Sequence, residues 1–428
     1  MKKILMLFFG LFFSAGVHAA TLINDTEIET VLGELMAPLA RAADIADGRL
    51  KIYIVNDDSF NAFVRGGEDV FVYTGLLTQI KSPGALQAVV AHELGHTLGG
   101  HMVQMSARMS AEMTRSMIIQ ALGVGLMVAG GNPALGAGVL AGAGGVAQQS
   151  MLSFSRDEER IADNMGVDLM VKAGLNPHGF IEVFEQMHEM SSAVESRINP
   201  NRINHPLTAE RLKNVKEQIA KIDKKFDKSK DEDWATKYSF VRAKLVGYLD
   251  AASRVKSLYP SKDKSDPALY ARAIANMRAG NLSGAKVGVL TLISRNPNNP
   301  FFYELLGDVS YQYGYYDDSV IAYEKSLELS KNAPQIQTAL ALVLSERKKP
   351  GDAERAIELC KHSILLAPAP LTYWVLARLE TGGKSDWAMA EYYNLINKKK
   401  DAKKYAKRAQ NNLPKGSPEY IKSGDLLR

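Results

Sequence analysis

Residues 92–101 read HELGHTLGGH, and this stretch decides the fold of the N-terminal half of the chain. On an α-helix, residues four apart differ by about 40° in azimuth, so the imidazoles of His92 and His96 face one side and can share a metal ion. Glu93 lies next to that side, where a carboxylate can accept a proton from metal-bound water. The preceding residues 85–91, ALQAVVA, are apolar and helix-forming, which is the context this motif requires. The stretch therefore predicts a metal site on a buried helix.

A third metal ligand must come from elsewhere, and two routes are open. Metzincin peptidases use a histidine ten residues after the first one, but that place is Met102 here, and His101 comes one residue early. If the helix continued, His101 would point about 180° away from His92. We therefore expect His101 to be a surface histidine or one that contacts a ligand. Gluzincin peptidases instead use a glutamate on a later helix.

The segment 155–163, SRDEERIAD, supplies such a glutamate. Glu159 and Asp163 are four residues apart, so both can face the metal site. Glu159 would be the ligand, and Asp163 would hydrogen-bond a liganding imidazole or donate a proton. Glu158 is about 100° away from Glu159 and is expected to face solvent. Taken in isolation, the segment equally fits an ordinary salt-bridged helix.

The residues before the motif alternate strand and helix patterns. Residues 50–55 (LKIYIV) and 70–74 (VFVYT) predict strands, and Asn61, Ala62 and Phe63 are β-rich before a glycine turn. We expect the strand near these three residues to pair with the backbone of an extended substrate. Residues 116–146 are rich in Gly, Ala and Met, and predict either a buried helical hairpin or a flap that touches a membrane.

The first twenty residues predict export. Lys2 and Lys3 precede an apolar run of about ten residues, which is too short to span a bilayer, and Val17 and Ala19 fit the positions before a cleavage site. We therefore expect a cleaved signal peptide at residues 1–19 and a location in the periplasm. The only cysteine is Cys360, which excludes an internal disulfide despite the oxidising compartment.

Length and composition limit the classes of protein. The chain has 428 residues, of which 46% are apolar and 23% charged, so two or three domains with proper cores are expected. These values exclude collagen, a disordered tail protein and a disulfide-stapled miniprotein. The formal net charge of +5 gives no reason to expect nucleic acid as a partner.

The C-terminal third repeats with a period of about 34 residues, which is the length of a tetratricopeptide unit. Small residues recur where paired helices cross, and Tyr303, Leu306 and Gly307 stand at the aromatic–leucine–glycine signature. A third unit requires an insertion near Lys348, and a degenerate last unit follows an extra helix around Trp374. A non-repetitive helical bundle is the alternative. Solenoids of this type present an extended face to peptides or proteins.

These motifs together resemble the zinc metallopeptidases of the HtpX and CAAX-prenyl-endopeptidase type. Their Ser-Arg-x-x-Glu-x-x-Ala-Asp pattern selects Glu159 over Glu158, and residues 61–63 and 73–77 are similar to the family's stretch before the zinc helix. His205-Pro206 followed by Arg211 resembles a further family feature. In proteins of this type the His-Pro loop lies beside the zinc, so the resemblance implies a regulatory contact between His205 and the metal that would restrain activity. The alternative is a capping or packing histidine outside the site.

The resemblance covers nearly the full length and implies a mainly α (α+β) protein. A gluzincin-type zinc metalloprotease domain with a small β-sheet (20–255) would be followed by an α-helical tetratricopeptide-repeat solenoid (266–428). The periplasmic branch of the family with such repeats is linked to outer-membrane protein assembly and quality control.

The resulting hypothesis is a metalloendopeptidase with one zinc ion, held by His92, His96 and Glu159, and with Glu93 as general base. Its clients would be unfolded or stalled outer-membrane proteins, and the repeats would dock the outer-membrane assembly machinery. The alternative is a chaperone-like or scaffold protein whose proteolysis is weak or conditional.

Overall fold

A computed structural model of the chain describes residues 21–101, 104, 155–193, 205, 207–222 and 224–428. The predicted signal peptide and the apolar stretch 116–146 lie outside these residues. The chain forms two compact units, one of residues 31–238 and one of residues 21–30 with 239–428. Among the described helices, none is long and apolar enough to cross a membrane. The expected domain bounds, 20–255 and 266–428, stay a prediction.

The small predicted sheet is present and has four strands in the order β1-β2-β4-β3. The strands are β1 (Thr21–Ile23), β2 (Lys51–Asn56), β3 (Ala62–Arg65) and β4 (Asp69–Tyr73). β2 and β4 run parallel, whereas β3 and β4 run antiparallel through a tight glycine turn. β3 is therefore an edge strand of the described sheet.

Seven of the described helices lie wholly or partly in the unit 31–238. They are α1 (Thr26–Ala42), α2 (Thr74–Gln79), α3 (Pro83–Leu98), α4 (Arg156–Lys172), α5 (Gly179–Ala193), α6 (Ala209–Ile219) and α7 (Lys228–Leu249). α3 carries the HELGH motif and packs against α4, α5 and β3, while α6 packs against α4. The zinc-motif helix is thus enclosed on several sides.

Two glycines set how closely α3 and α4 approach each other. A Cβ atom on Gly95 would lie 2.5 Å from the carbonyl oxygen of Ala162, and one on Gly166 would lie 3.1 Å from the carbonyl oxygen of Ala91. The first distance is shorter than real Cβ contacts and the second is tighter than most of them, so glycine at both positions permits this close crossing. The close approach brings the face of α4 that carries Glu159 opposite the histidines of α3.

The second unit is a succession of antiparallel helices. They are α8 (Ala252–Leu258), α9 (Asp266–Arg278), α10 (Leu282–Arg295), α11 (Pro300–Gln312), α12 (Tyr316–Leu329), α13 (Pro334–Arg347), α14 (Asp352–Leu366), α15 (Pro370–Leu379), α16 (Gly382–Leu395), α17 (Lys399–Asn412) and α18 (Pro418–Leu427). α9 to α14 form three consecutive pairs. α15 is the extra helix predicted around Trp374, and α16 pairs with α17. The predicted fold class is confirmed.

Small residues lie where the repeat signature places them. A Cβ atom on Gly307 would lie 2.7 Å from the ring of Tyr323, which is fully buried. Ser319 is also fully buried, and its hydroxyl donates a hydrogen bond of 2.8 Å to the Gly307 carbonyl. The insertion predicted near Lys348 is the turn between α13 and α14, where Lys348 and Gly351 both have positive φ.

The second unit also contains a buried cluster of charges around Lys244. Its ammonium lies 2.8 Å from Asp25, 3.2 Å from Glu27 and 3.0 Å from Glu304. Burial raises the pKa of Glu304 to about 8, although Lys244 opposes that rise. Nearby, Tyr248 donates a hydrogen bond of 2.9 Å to Asp308. The cluster attaches the first residues of the described chain to α7 and α11.

Candidate metal centre and active site

The helix α3 is built to hold its histidines in a fixed place. Ser82 caps its start by accepting a hydrogen bond of 3.0 Å from the backbone N–H of Ala85, and Pro83 occupies the first turn, where a missing N–H costs nothing. His92, Glu93 and His96 are all buried. A buried helix with a fixed start leaves their side chains little freedom.

The helix α4 begins with a capping box. Ser155 Oγ accepts a hydrogen bond from the backbone N–H of Glu158 at 3.2 Å, and the Glu158 carboxylate accepts one from the Ser155 N–H at 2.8 Å. Glu158 is therefore buried, and the expectation that it faces solvent is wrong. The prediction used only the angular position of Glu158 on the helix. It did not consider that a glutamate in the first turn can fold back over the helix end.

Four side chains bring ligand atoms within 4.8 Å of one another: His92, His96, Glu159 and His205. The Nε2 atoms of His92 and His96 are 3.1 Å apart, and each is 3.5 Å from a Glu159 oxygen. His205 Nδ1 is 3.4 Å from His92 Nε2 and 2.6 Å from Glu159 Oε1. The three predicted ligands thus meet, and His205 joins them.

The donor set and its spacing fit a metal ion. A tetrahedral zinc site with bonds of about 2.0–2.1 Å has ligand atoms about 3.3–3.4 Å apart. The distances among His92, His96 and Glu159 lie between 3.1 and 3.5 Å. His92 Nε2 and His96 Nε2 face each other at 3.1 Å, so at most one proton can lie between them. A metal ion bound by both nitrogens fits this arrangement. Two imidazoles and a carboxylate are also ligands that zinc prefers.

Asp163 and Arg211 form the second layer of the site. Asp163 Oδ1 lies 2.9 Å from His92 Nδ1, the ring nitrogen that faces away from the donor cluster. Arg211, on α6, donates two hydrogen bonds of 2.8 Å to Asp163 and lies 2.7 Å from Glu159 Oε2. One guanidinium therefore holds the carboxylates of Asp163 and Glu159, because its planar group can donate several hydrogen bonds at once.

His101 lies behind His96. The chain turns after α3 at Gly99 and Gly100, and Gly100 has a φ of 69°. This turn buries His101 and places its Nδ1 atom 3.0 Å from Nδ1 of His96. Of the two expectations for His101, the structure supports contact with a ligand and not a place on the surface.

Glu93 lies on the same side of α3 as the donor cluster. Its carboxylate is buried, and Oε1 is 3.5 Å from Nε2 of His205. Burial raises the pKa of Glu93, although His205 and His92 oppose the rise. A buried carboxylate beside the cluster is in the position that a general base needs.

The histidines and carboxylates of the site perturb one another strongly. Burial lowers the pKa of His92, but hydrogen bonds to Asp163 and Glu159 outweigh it and raise the pKa to about 9. Burial lowers the pKa of His96 to about 4. Burial would raise the pKa of Glu159, yet its hydrogen bonds with His205, His92 and His96 hold that pKa well below its usual value. Such opposed shifts are typical of functional sites.

The three residues predicted to hold substrate lie at the sheet edge. Ala62 and Phe63 belong to the edge strand β3, and Asn61 precedes it, with its carbonyl accepting a hydrogen bond of 3.1 Å from the Tyr73 N–H. Ala62 is buried against the unit, whereas Phe63 is half-buried on the other face of the sheet. The strand runs beside α3, the helix of the site.

The family of the N-terminal part follows from its sequence. Residues 24–219 match the profile of peptidase family M48. This part, here termed the M48 domain, is similar to M48 peptidases. The resemblance found in the sequence is confirmed, and the protein is a metalloendopeptidase. The M48 domain includes every candidate site residue named above.

Several known proteins are similar to parts of the chain. The beta-barrel assembly-enhancing protease of Escherichia coli (strain K12) is 22% identical over 344 residues, which cover 78% of this chain and 68% of that protein. The mitochondrial metalloendopeptidase OMA1 of Schizosaccharomyces pombe is 26% identical over 213 residues, or 49% of this chain and 59% of that one. A solved tetratricopeptide protein of Thermus thermophilus matches 44% of this chain and 93% of its own, with 16% identity and a TM-score of 0.27.

Sequence reasoning missed two contacts in the M48 domain. In the sequence, Arg211 stands out only by its position after His205. No local pattern predicts its contact with Asp163, which lies 48 residues earlier. The contact of His101 with His96 requires a turn that helical geometry alone does not predict. The signal for that turn was the pair Gly99–Gly100 directly after the helix.

Proposed function

We propose that the protein is a zinc-dependent endopeptidase in which His92, His96 and Glu159 hold one zinc ion. The observation that carries the proposal is the convergence of these three donors, with 3.1–3.5 Å between His92 Nε2, His96 Nε2 and the Glu159 oxygens. A zinc ion held there would polarise the scissile carbonyl and make a bound water acidic.

Glu93 is the general base of this proposal. Its carboxylate accepts a proton from the attacking water and passes that proton to the leaving amine. One water is consumed, a C–O bond forms and the amide C–N bond breaks. Because Glu93 is buried, few bulk waters compete for its carboxylate.

Asp163 and Arg211 orient the ligands. Asp163 lies 2.9 Å from His92 Nδ1 and so fixes the proton of that imidazole on the side away from the donor cluster. Arg211 holds Asp163 and Glu159 at once.

His205 restrains the resting enzyme. Its Nδ1 atom lies 3.4 Å from His92 Nε2 and 2.6 Å from Glu159 Oε1, and these distances support a role for its imidazole as a fourth group beside the three proposed ligands. In this arrangement the side chain competes with the hydrolytic water. Cleavage then requires His205 to move aside, and this supports conditional proteolysis.

The edge strand β3 holds the substrate. An extended segment adds to the sheet beside Asn61, Ala62 and Phe63, and its main chain supplies most of the binding contacts. The strand runs along α3, so a segment bound there passes close to the catalytic residues. This mode binds unfolded segments and excludes folded ones.

The biological role follows from the relatives and the chain organisation. We infer a signal peptide (1–19), a peptidase domain (20–255) and a repeat domain (266–428). The enzyme would work in the periplasm on misfolded proteins, above all unfolded or stalled outer-membrane proteins. The name of these relatives, beta-barrel assembly-enhancing protease, supports this role. The repeats would dock the outer-membrane assembly machinery, as solenoid faces bind proteins.

One experiment tests the enzymatic core of the proposal. Purified full-length protein should contain one zinc per chain by elemental analysis and should cleave casein until a chelator is added. Glu93→Gln should retain zinc and fold but lose activity by about 10²–10⁴-fold, because an amide cannot accept the proton. Glu185→Gln, the same change at an exposed ion pair, is the matched control. Full activity in Glu93→Gln would exclude Glu93 as the base.

A further inference from the structure

Three aromatic side chains form a row across the sheet. In the strand register, Tyr53 of β2 lies opposite Phe71 of β4, and Phe71 lies opposite Phe63 of β3. The ring centroids of Tyr53 and Phe71 are 4.8 Å apart, and those of Phe71 and Phe63 are 4.6 Å apart. The planes differ by 17° and 7°, so the three rings are stacked in sequence. The row ends at the edge strand.

The row occupies the face of the sheet that points away from the core. Val64 and Val72 are buried on the opposite face, as expected from the two-residue alternation of a strand. Phe63 and Phe71 are only half-buried, and the guanidinium of Arg65 lies 5.0 Å from the Phe71 ring. Phe63 therefore presents an aromatic side chain at the very border of the sheet.

The backbone of the edge strand fits an added strand. The N–H of Tyr73 bonds to the carbonyl of Asn61. In an antiparallel ladder this pattern alternates every two residues, so Phe63 bonds towards β4, whereas the N–H and C=O groups of Ala62 and Val64 face away from it. A strand added antiparallel would bond to Ala62 and Val64 and would place one residue directly opposite Phe63. Such non-bonded pairs bring side chains closest together.

The edge also lies beside the catalytic helix. Gly67, in the turn between β3 and β4, would bring a Cβ atom to 3.3 Å from Thr97, the residue after His96. The register of a bound segment on β3 therefore fixes which of its peptide bonds approaches the site. A side-chain preference set by Phe63 would appear at a constant distance from the cleaved bond.

We propose that the aromatic row selects substrates, because Phe63 pairs with an aromatic side chain of the bound segment and extends the stack by one ring. This inference rests on the proposed endopeptidase function and on substrate addition at β3. The occupant is an extended, unfolded polypeptide with an aromatic residue at one position. The adjacent positions of that polypeptide lie on the other face of the sheet and carry no such preference. Segments with an aromatic residue at that one position are therefore the preferred substrates.

The size of the preference follows from cross-strand pairing. An aromatic pair on a sheet changes stability by an amount that corresponds to roughly a two- to fivefold change in an equilibrium constant. We therefore expect a preference of about two- to fivefold in kcat/KM for a phenylalanine over a serine opposite Phe63. The effect lies in substrate binding, so zinc content is unchanged.

The test is a library digest with the full-length, zinc-loaded protein. Peptides from a denatured proteome are cleaved, and the products are identified by mass spectrometry. Wild type should enrich aromatic residues at one fixed distance from the cleaved bond and not at the two adjacent positions. Phe63→Ser should lose the enrichment, and Phe63→Thr, which keeps a strand-forming residue, should lose it as well. Lys51→Ser removes an exposed side chain of β2 on the sheet face that carries the aromatic row. This control variant should keep the aromatic enrichment.

The outcomes separate the two proposals. Cleavage by wild type without any aromatic enrichment would refute the aromatic selection and leave the endopeptidase function standing. Equal enrichment in wild type, Phe63→Ser and Phe63→Thr would assign the selection to another surface. If neither zinc-loaded wild type nor zinc-loaded His205→Ala cleaves any peptide, the endopeptidase function itself is wrong, and the selection is wrong with it.

Discussion

Replacing Arg211 with methionine tests the electrostatic design of the site. The Arg211 side chain is buried, donates two hydrogen bonds of 2.8 Å to Asp163 and lies 2.7 Å from Glu159. Its guanidinium also lies 5.2 Å from the ring of Phe184. Methionine has a similar length but no charge, so the change removes the cation while largely keeping the volume.

The expected cost is large because two buried carboxylates lose their cation. Breaking one side of a buried ion pair destabilises a protein by about 3–5 kcal/mol, out of a total stability of about 5–15 kcal/mol. The M48 domain of Arg211→Met should therefore fold but be marginally stable. Without Arg211 to hold them, Asp163 and Glu159 also lose their fixed orientation. Loss of such a supporting contact lowers metal affinity by about 10–100-fold.

Hydrogen exchange measures the loss of stability within the M48 domain itself. The backbone amides of α3 and α4 report the stability of their own unit, and a competing chelator reports zinc affinity. Arg211→Lys keeps the positive charge but not the planar guanidinium group. Its losses of stability and of zinc affinity should therefore be intermediate. Lys213→Met removes a cation two residues away, where the side chain is 73% exposed and 3.8 Å from Glu217, and should cost about 0–1 kcal/mol. If Arg211→Met costs no more than Lys213→Met, Asp163 and Glu159 do not depend on the guanidinium charge.

Three further predictions follow from single contacts. Glu159→Gln should lower zinc occupancy in elemental analysis, whereas Glu158→Gln, which keeps its capping box, should not; equal occupancy would remove Glu159 from the ligand set. His205→Ala should raise basal casein cleavage and self-cleavage with zinc retained, and a loss of activity would instead assign His205 to substrate or transition-state contact. Burial raises the pKa of Glu304 from 4.5 to about 8, so the folded state keeps a proton that the unfolded state releases. The free energy of unfolding should therefore fall as the pH rises from about 5 to 8, and Glu304→Gln should flatten that dependence.

The fold was predictable wherever the sequence repeats a pattern at a fixed spacing. The 34-residue repeat placed small residues such as Gly307 and Ser319 at helix crossings, because closely packed helices tolerate nothing larger there. The strands of the M48 domain were visible from two-residue alternation. The spacing of His92 and His96 fixed their common direction, since a helix allows no other geometry.

Contacts between distant segments were not predictable from local patterns. Glu158 was expected in solvent because azimuth was considered without the capping box that folds its side chain back. The bonds of Arg211 to Asp163 depend on the placement of α6 beside α4, which no helical period encodes. The stacked row that ends at Phe63 depends on strand register, and neither β2 nor β3 alone reveals which residues lie opposite each other.

The two histidines proposed as ligands contact different kinds of group. His92 is backed by the carboxylate of Asp163, whereas His96 is backed by the imidazole of His101. If His96 binds metal through Nε2, its Nδ1 carries the proton and donates it in a hydrogen bond to His101. The turn after α3 makes this contact, since a Cβ atom on Gly99 would lie 2.7 Å from His101 Nε2. A metzincin turn brings its histidine to the metal side of the helix, but this turn delivers His101 to the opposite edge of the His96 ring. The proposed third ligand therefore comes from α4, and the stretch HELGHTLGGH would supply two ligands, the base and one group that orients a ligand.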